Sequence, residues 1–554
     1  MGAALNPQPT LFDRVRDVLL LTFICALCFG WRIGHLPFID PDEPFYALSA
    51  REMLEAHEWL VPHIFGQPQF EKPPMVYWGM IASMKAFGVS EAAARLPMAL
   101  AAIALVFSVY AFGVRQFGRH AGLAAAAVLA TGVEFMVTSR MVLTDTIFAL
   151  FTSLSCFAYW NGVTHESRRR GWWIVSSLCA GLAVVTKGPL GLLVPGLAAL
   201  VVMASHRAPR RIGATTFVIG AGLFLAVAVP WYALMVQRFG TDYLRTFLVH
   251  ENWERLMRAE HRQNDRLYYY PLVLLVGSLP WLPAVAAALA RARSEMRREP
   301  TTVFLWGWII ANVAFFTIAH SKLPTYILFT FVPLALLAGR SIAGHHEDSA
   351  GLARSVRVSA VAMAILQAAA FAIASTVPLL APLRLALLGI AGLLAVGVAL
   401  LWLGHWRAWT ASTLAASMVL LVTLLTVGTP WIESRVSTRD AAAAVVANRK
   451  PGEALLAERF LVRGLTYYSR QTPVVLAGTP RPYFSPHPLP IVVGTEGLAK
   501  FVHEHPSTLC LIETSSWPKY SGFMAEGDSV NLLWYGDKSL YRFERALART
   551  HSTP

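Results

Sequence analysis

The chain of 554 residues is 55% hydrophobic and only 14% charged. Soluble domains average about 45–50% apolar and about 25% charged residues, so this composition excludes a soluble multidomain protein, a disordered chain and a fibrous repeat. The formal charge of +14 would suggest a nucleic-acid partner in a soluble protein. In a membrane protein it indicates arginine-rich cytoplasmic loops and contact with anionic membrane lipid, and we expect no nucleic-acid partner.

Apolar runs in chain order predict an all-α polytopic membrane domain of about thirteen transmembrane helices. Each run approaches the roughly 20 residues that a spanning helix needs. The pair at 171–186 and 188–204 is short and closely joined, which makes it the weakest part of the count. The runs cover residues 17–34, 92–114, 120–138, 141–163, 171–186, 188–204, 212–236, 268–290, 301–319, 323–339, 355–377, 379–403 and 408–430.

Arginines mark one side of the membrane in this prediction. They precede the first run and follow the second, fourth, sixth, eighth, tenth and twelfth runs. Positive loops stay in the cytoplasm, so the N-terminus is predicted to be cytoplasmic. The loops 35–91 and 237–267 and the tail 431–554 then face the opposite compartment. We therefore predict a transmembrane domain over residues 1–430 and a separate outward domain after it.

The tail changes character and predicts a small soluble α/β domain over residues 431–554. Ser437-Thr438-Arg439-Asp440 is a plausible helix start, and short apolar strands follow at 473–477, 489–493, 508–512 and 531–535. A helical pattern occupies residues 496–504. The tail carries no glycine-rich phosphate loop, metal-ligand spacing or nucleophile elbow, so its predicted role is support or recognition.

Three carboxylates open the first outward loop in the segment Asp40-Pro41-Asp42-Glu43-Pro44-Phe45-Tyr46. Its prolines predict a helix over about 43–57. Asp42 and Glu43 are candidate catalytic acids, and Tyr46 is a candidate donor-binding residue. The alternative is that the two acids only supply negative charge to the helix N-terminus.

A second cluster, Phe70-Glu71-Lys72-Pro73-Pro74, lies in the same loop. Because the prolines restrict the backbone before them, Lys72 can be aimed, and it is a candidate phosphate ligand. The alternative is a solvated Glu71–Lys72 charge pair.

Further charged residues lie at the outer ends of spans, where an ionisable group is a functional candidate by default. The alternatives are a structural ion pair from Asp145 to Arg95 or Arg140, and a snorkelling Lys322. The candidates are Asp145 as a catalytic acid, with Arg95, Lys187, Lys322 and Tyr326 as donor-binding or phosphate-binding residues.

The loop 237–267 carries Arg255, Arg258 and Arg262, whose planar guanidinium groups suit phosphate oxygens. His250, His261 and Glu71 could gather a divalent cation. No close spacing demands a metal, so we expect no required cofactor.

Cations beside carboxylates at an outer membrane surface suit transfer from a phosphate-linked donor. The cations neutralise the leaving phosphate, and a carboxylate orients or deprotonates the acceptor. Nucleotide sugars are confined to the cytoplasm and no nucleotide-binding domain is visible, so the predicted donor is a lipid phosphate.

The order of these motifs resembles a known group of enzymes. Asp42-Glu43, Glu71-Lys72-Pro73-Pro74, Arg95-Leu96-Pro97 and Ser321-Lys322-Leu323-Pro324-Thr325-Tyr326 are similar to those of GT-C membrane glycosyltransferases related to protein O-mannosyltransferases. Within that group the chain most resembles the bacterial 4-amino-4-deoxy-L-arabinose lipid A transferases. The Asp-Glu loop is shared across the superfamily. The two motifs that contain a lysine, Glu71-Lys72-Pro73-Pro74 and Ser321-Lys322-Leu323-Pro324-Thr325-Tyr326, are more specific to the bacterial branch.

The resemblance implies an inner-membrane enzyme with a periplasmic site that moves 4-amino-4-deoxy-L-arabinose from undecaprenyl phosphate to lipid A phosphates. Such transfer reduces the negative charge of lipopolysaccharide and gives resistance to polymyxin. The resemblance implies that Asp42 is the essential first-loop acid and that Lys72, Arg255 and Lys322 hold phosphates. If the acceptor is a phosphate, Asp42 could instead bind the amino sugar or order Lys72. We expect a monomer.

Two other functions stay open on the sequence. A related transferase could move another sugar from a polyprenyl phosphate to a lipid or protein. A transporter is the alternative from a different class, although transporters usually show internal repeats and polar groups at mid-membrane, which this sequence lacks.

Overall fold

The computed structural model describes residues 10–165, 168–204, 213–258, 262–344, 384–480, 489–521 and 529–544, with a few isolated positions between 358 and 376. The chain forms two compact units. The first comprises Met1–Ile33, Lys72–Val76 and Arg95–Val427, and the second comprises Gly34–Glu71, Tyr77–Ala94 and Gly428–Pro554. This grouping differs from the predicted division, because most of the first outward loop belongs with the C-terminal segment.

Helices build the first unit because apolar segments in lipid must satisfy their backbone hydrogen bonds internally. Several continue as short π-helical or 3₁₀ segments. The helical segments of this unit among the described residues, of all three types, are Leu11–Cys25, Ala26–Gly30, Glu91–Phe117, Arg119–Thr131, Val133–Thr138, Asp145–Thr164, Arg169–Lys187, Leu190–Ala204, Ala214–Leu244, Arg245–Glu254, Arg255–Met257, Arg262–Asn264, Tyr269–Gly277, Leu282–Arg298, Pro300–Ile318, Pro324–Thr330, Phe331–Ala343, Arg384–Trp402, Trp406–Thr423 and Leu424–Gly428.

Small residues and stacked aromatic rings pack these helices. A Cβ atom on Gly339 would lie 2.3 Å from the backbone nitrogen of Ala125, so only glycine permits this close approach. Backbone contact at small residues is typical of helix packing in membranes. Elsewhere in this core Trp160 stacks on Phe304, with ring centroids 4.8 Å apart.

Seven helices of the described segments are long and apolar enough to cross a membrane. Leu190–Ala204 is apolar but shorter, and the predicted run 355–377 lies almost wholly outside the described residues. The count of thirteen therefore stays a prediction. The seven are Glu91–Phe117, Asp145–Thr164, Ala214–Glu254, Pro300–Ile318, Pro324–Ala343, Arg384–Trp402 and Trp406–Gly428.

Helical structure extends into the predicted outward loop 237–267 as far as Met257, with a kink at Gly240. Gly240 has φ +59°, a conformation that glycine adopts without strain. Tyr243, Phe247 and Glu251 are buried. They recur every four residues, which places them on one helical face. The density of charged residues concealed this periodicity.

Two helices and a hairpin form the N-terminal part of the second unit, although the first two residues of the second helix, Met75 and Val76, group with the first unit. The loop helix Asp42–Glu55 matches the helix predicted over about 43–57, and Met75–Phe87 forms a helix that was not predicted. Between them β1 (His63–Ile64) pairs with β2 (Gln67–Pro68). The Glu52 carboxylate fixes this hairpin by accepting the backbone N–H groups of Phe65 and Gly66, each at 2.9 Å.

A six-stranded mixed sheet forms the rest of this unit, as the predicted α/β domain requires. The strand order is β5-β4-β3-β6-β8-β7; β5, β4, β3 and β6 are parallel, and β8 is antiparallel to β6 and to β7. Apolar clusters cover the sheet on both faces. The strands are β3 (Ala454–Glu458), β4 (Val474–Ala477), β5 (Ile491–Val493), β6 (Ser507–Glu513), β7 (Ser529–Tyr535) and β8 (Lys538–Glu544), and the helices are Thr429–Val436, Arg439–Asn448, Val462–Ser469, Gly494–Glu504 and Trp517–Tyr520, with a 3₁₀ turn at Thr514–Ser516.

The four predicted strands and the helix near 496–504 are present, and Thr438 precedes a helix as expected. β3 and β8 were missed. The sequence of β3, Ala-Leu-Leu-Ala-Glu, consists of good helix formers, and burial in the sheet overrides that propensity.

One buried carboxyl group makes the second unit sensitive to pH. Asp40 lies beside the Thr438 hydroxyl, and its backbone N–H donates to the carbonyl of Val436 at 2.7 Å. Burial raises the pKa of Asp40 from 3.8 to about 8, although Thr438 and Lys538 act in the opposite direction. The folded protein therefore holds this proton more tightly than the unfolded chain does. Stability from this group is present at low pH and is lost as the pH rises toward 8.

We predict that Asp40→Asn, which cannot ionise, flattens this pH dependence. Between about pH 6 and about pH 9 the apparent melting temperature of the purified protein should fall more for wild type than for the variant. Glu504→Gln is the control, because the Glu504 side chain is 54% exposed. Equal pH slopes for wild type and Asp40→Asn would contradict a buried neutral Asp40.

Candidate functional site

The first-loop acids of the second unit stand at a helix N-terminus. Asp42 and Glu43 occupy the first turn of the loop helix, where negative charge is favourable. Glu43 is fully buried, and its Oε2 accepts the backbone N–H of Ile39 at 2.8 Å. That contact fixes the turn before the helix, which gives Glu43 a structural task.

Glu71 and Tyr46, two further predicted site residues, are buried in the same unit. The backbone N–H of Glu71 donates to Gln69 Oε1 at 3.0 Å, and Gln69 Nε2 donates to the Tyr77 hydroxyl at 2.6 Å. The rings of Tyr46 and Tyr77 have centroids 6.0 Å apart. The aromatic pair and this short hydrogen-bonded chain hold the segment that carries Glu71.

A residue that sequence reasoning missed, Arg463, lies among these groups. Its guanidinium carbon is 4.6 Å from the ring centroid of Phe45, and the residue is buried. Burial lowers the pKa of Arg463, and the carboxylates of Glu71 and Asp42 act in the opposite direction. An arginine in a helix of the predicted support domain gave no sequence signal of its own.

Lys72 belongs to the first unit, where its Nζ lies 3.2 Å from Glu251 Oε2. The side chains are 16% and 2% exposed, respectively. Glu251 lies in the segment predicted as an outward loop, where it carried no predicted role.

Asp145, Lys187 and Tyr326 lie together and form the second lysine–carboxylate pair of the first unit, with a tyrosine ring beside it. Lys187 Nζ is 2.5 Å from Asp145 Oδ1 and 4.9 Å from the ring centroid of Tyr326. Arg140, one of the two predicted alternative partners of Asp145, donates to the carbonyls of Cys28 and Trp31 at 2.7 Å.

Lys322 forms a third pair, with Asp265, and its side chain is only 2% exposed. Lys322 Nζ is 2.5 Å from Asp265 Oδ1, and His320 Nδ1 is 2.8 Å from Asp265 Oδ2. These hydrogen bonds, that of His320 first, lower the pKa of Asp265. Asp265 therefore remains a carboxylate, and Lys322 does not snorkel freely to water.

The remaining predicted site residues are Arg95, Arg255 and the two histidines proposed as metal ligands. Arg95 is buried and donates to the carbonyl of Ile33 at 3.1 Å, and Arg255 begins the short helix Arg255–Met257. His250 Nδ1 pairs with Glu254 Oε2 at 2.8 Å, while His261 lies outside the described residues. In the described part of the chain no three His, Cys, Asp or Glu residues form a cluster that could hold a metal ion.

Comparisons with known proteins give the family to which this chain belongs. Residues 71–233 match the dolichyl-phosphate-mannose-protein mannosyltransferase family. A Pseudomonas paraeruginosa protein, named undecaprenyl phosphate-alpha-4-amino-4-deoxy-L-arabinose arabinosyl transferase, is 32% identical over 397 residues. The alignment covers 69% of this chain and 71% of that protein. The chain belongs to this arabinosyl transferase family.

Coverage is lower for other members of the arabinosyl transferase family. A Sodalis glossinidius relative is 31% identical over 328 residues, which are 58% of each chain. A Pseudomonas aeruginosa relative is 33% identical over 307 residues, which are 55% of that protein. The chain thus spans little more than half the length of these two relatives.

Solved structures confirm the predicted fold class. ArnT from Cupriavidus metallidurans, solved bound to undecaprenyl phosphate, matches with a TM-score of 0.75 and 22% identity over 97% of this chain and 98% of that one. The archaeal oligosaccharyltransferase AglB from Archaeoglobus fulgidus matches with a TM-score of 0.54 and 12% identity over 92% of this chain and 70% of that one. With its long apolar helices, this member of the arabinosyl transferase family is a multi-pass membrane protein of the GT-C fold.

The Asp145–Lys187 pair allows a test that separates folding from function. Removing one partner of a buried ion pair typically costs about 3–5 kcal/mol, because the other charge is left uncompensated. We predict that Asp145→Asn and Lys187→Met each lower the yield of monodisperse protein. The double variant should recover the yield but not the activity. Full activity in the double variant would show that the pair is only structural.

Proposed function

We propose that this protein transfers 4-amino-4-deoxy-L-arabinose from undecaprenyl phosphate to a phosphate group of lipid A. The reaction takes place at the periplasmic face of the bacterial inner membrane. It replaces an exposed anionic phosphate with one that carries a cationic sugar, so the outer surface binds polymyxin and other cationic peptides less tightly.

Family membership supports the donor in this proposal. The relatives are named for undecaprenyl phosphate and 4-amino-4-deoxy-L-arabinose, and one of them aligns over 71% of its length. Lipid A is the acceptor that the sequence resemblance implies. A phosphate acceptor also fits a site with several cations, because both substrates then present phosphate oxygens.

The three paired lysines of the first unit carry the proposal. Lys72, Lys187 and Lys322 have side chains that are 16%, 12% and 2% exposed, and each lies within 3.2 Å of a carboxylate oxygen. Each such site therefore accommodates an anion beside a largely desolvated ammonium group. A polyprenyl phosphate is an anion with a lipid tail, and a lysine at the end of apolar helices suits its head group.

The chemistry is a displacement at the anomeric carbon of the sugar. An oxygen of the acceptor phosphate forms a bond to this carbon, the bond to the donor phosphate oxygen breaks, and the electron pair leaves with undecaprenyl phosphate. Lys72 stabilises the charge that develops on the leaving phosphate. Asp42 binds the protonated amino group of the sugar or takes up a proton that the acceptor carries, and Glu43 holds the turn that presents Asp42.

Lysines supply the charge that a divalent cation would otherwise bring to the leaving phosphate. We therefore propose that transfer requires no metal cofactor. Transfer that survives exhaustive chelation supports this part of the proposal, and transfer restored only by an added divalent cation contradicts it.

Mass spectrometry of lipid A tests the function directly. In a strain that lacks its own transferase, expression of wild type should add the mass of one 4-amino-4-deoxy-L-arabinose residue to lipid A. Asp42→Asn should abolish this product, and Lys72→Ala should lower it by about 10²–10³ in rate, because a donor aimed at developing charge is lost. Lys72→Arg should restore only part of the rate.

The exposed Lys500 is the control position for this assay, since its side chain is 79% exposed and Lys500→Ala should transfer normally. All variants are compared at equal amounts of inserted protein. Modification of another lipid or of a protein, with lipid A unchanged, would replace the proposed acceptor. A substrate that crosses vesicles without any transfer product would indicate a transporter instead.

We infer that the N-terminus is cytoplasmic, that the C-terminal sheet is periplasmic and that the enzyme acts as a monomer. The arginine distribution supports the orientation. The monomer is tested by measuring the mass of the detergent-solubilised protein by light scattering.

Cysteine labelling tests the orientation, and the five native cysteines are buried in the structure. We predict that Lys500→Cys is labelled by a membrane-impermeant maleimide once the outer membrane is permeabilised. The exposed Arg293 lies on the predicted cytoplasmic side, so Arg293→Cys should be labelled only after the inner membrane is disrupted. The reverse pattern would place the sheet in the cytoplasm.

A further inference from the structure

The helix Val462–Ser469 of the C-terminal segment, named here the sheet helix, packs against the loop helix within the second unit. Arg51 of the loop helix donates from Nη1 to the Tyr467 carbonyl at 2.6 Å, and its guanidinium carbon lies 4.7 Å from the Tyr467 ring centroid. The Tyr468 hydroxyl accepts the backbone N–H of Phe38 at 2.8 Å. The sheet helix is therefore bonded to the first-loop segment on both sides of Asp42.

Gly464 sets how closely the sheet helix approaches. A Cβ atom at this position would lie 2.2 Å from Asp40 Oδ1 and 2.0 Å from Thr438 Oγ1. Only a residue without a side chain permits this approach. The approach carries the neighbouring Arg463 to the acid-bearing end of the loop helix, where its guanidinium lies over Phe45.

Arg463 cannot be explained as a surface charge. The residue is only 6% exposed, and its aromatic neighbour Phe45 is 4% exposed. A desolvated guanidinium is costly unless anions compensate it. Asp42 and Glu71 are the carboxylates that act on it, together with the hydroxyl groups of Tyr46 and Tyr77.

We infer that Arg463 is a positioning residue for the transferase reaction: it holds the carboxylates of Asp42 and Glu71 ionised and oriented. The inference rests on the proposed function, in which Asp42 is the catalytic acid of the first loop. It also assigns the C-terminal domain a role in the reaction, because the guanidinium belongs to the sheet helix.

The physical reason is electrostatic. A fixed cation in a poorly solvated site favours the charged form of nearby carboxylates. Ionised Asp42 can bind an ammonium group or accept a proton, whereas neutral Asp42 can do neither.

Arg463→Lys and Arg463→Gln test the inference, with Arg470→Gln as the matched control. Arg470 follows the same helix, is 68% exposed and lies 3.3 Å from Glu55. At equal amounts of folded protein, Arg463→Gln should lower kcat about 10- to 100-fold, the scale on which an acid–base group acts. The acid limb of its pH–rate profile should move to higher pH. Arg463→Lys should restore part of kcat and most of the pH profile, and Arg470→Gln should match wild type.

A merely structural arginine would behave differently. Both Arg463 variants would then give less folded protein, and the folded fraction would keep the wild-type kcat and pH profile. That result overturns the inference.

A second measurement does not depend on activity and separates this inference from the proposed function. Apparent melting temperatures of Arg463→Gln, Asp42→Asn and the double variant form a thermodynamic cycle. Coupling is expected, because Asp42→Asn removes the charge that Arg463→Gln leaves uncompensated. If wild type transfers no aminoarabinose but the coupling is present, the proposed function fails and the electrostatic contact stands. Additive shifts overturn the contact even where wild type is active.

Discussion

A charge removed from water must be compensated by a partner, and this constraint determines how buried charged residues are paired in both units of the molecule. Within the first unit Lys187 ends its helix, and Asp145 begins another. Helix dipoles favour cations at C-termini and anions at N-termini, so each member of the pair is stabilised by its own helix before it meets the other. The ends of the helices are therefore also the positions where charge can be held at membrane depth.

The second unit satisfies the same constraint with elements that are distant in sequence. The sheet helix brings Arg463 to the loop helix, and the absent side chain of Gly464 makes that approach possible. Asp40, on the other side of the same contact, meets the constraint differently. Burial favours its neutral form, so no full countercharge is needed at neutral pH.

Much of this architecture could be predicted from the sequence, because apolar runs and the prolines and polar residues between them are local signals. The helix that begins at Asp42 and four strands of the sheet were predicted in this way. β3 was not, since its residues favour a helix until the sheet buries them. At the site, the lysines could be named from their motifs, but their partners could not. Glu251 and Asp265 are joined to Lys72 and Lys322 only by the fold, over separations of 179 and 57 residues.

These pairs bear on how an anionic donor could bind under the proposed function. A desolvated ammonium group is costly unless an anion lies beside it. Each of the three ammonium groups lies beside a carboxylate, that of Glu251, Asp145 or Asp265. A donor phosphate that takes the place of such a carboxylate exchanges one anion for another, so the lysine does not have to be desolvated again. Binding energy is then available for the leaving phosphate, where the negative charge grows during the reaction.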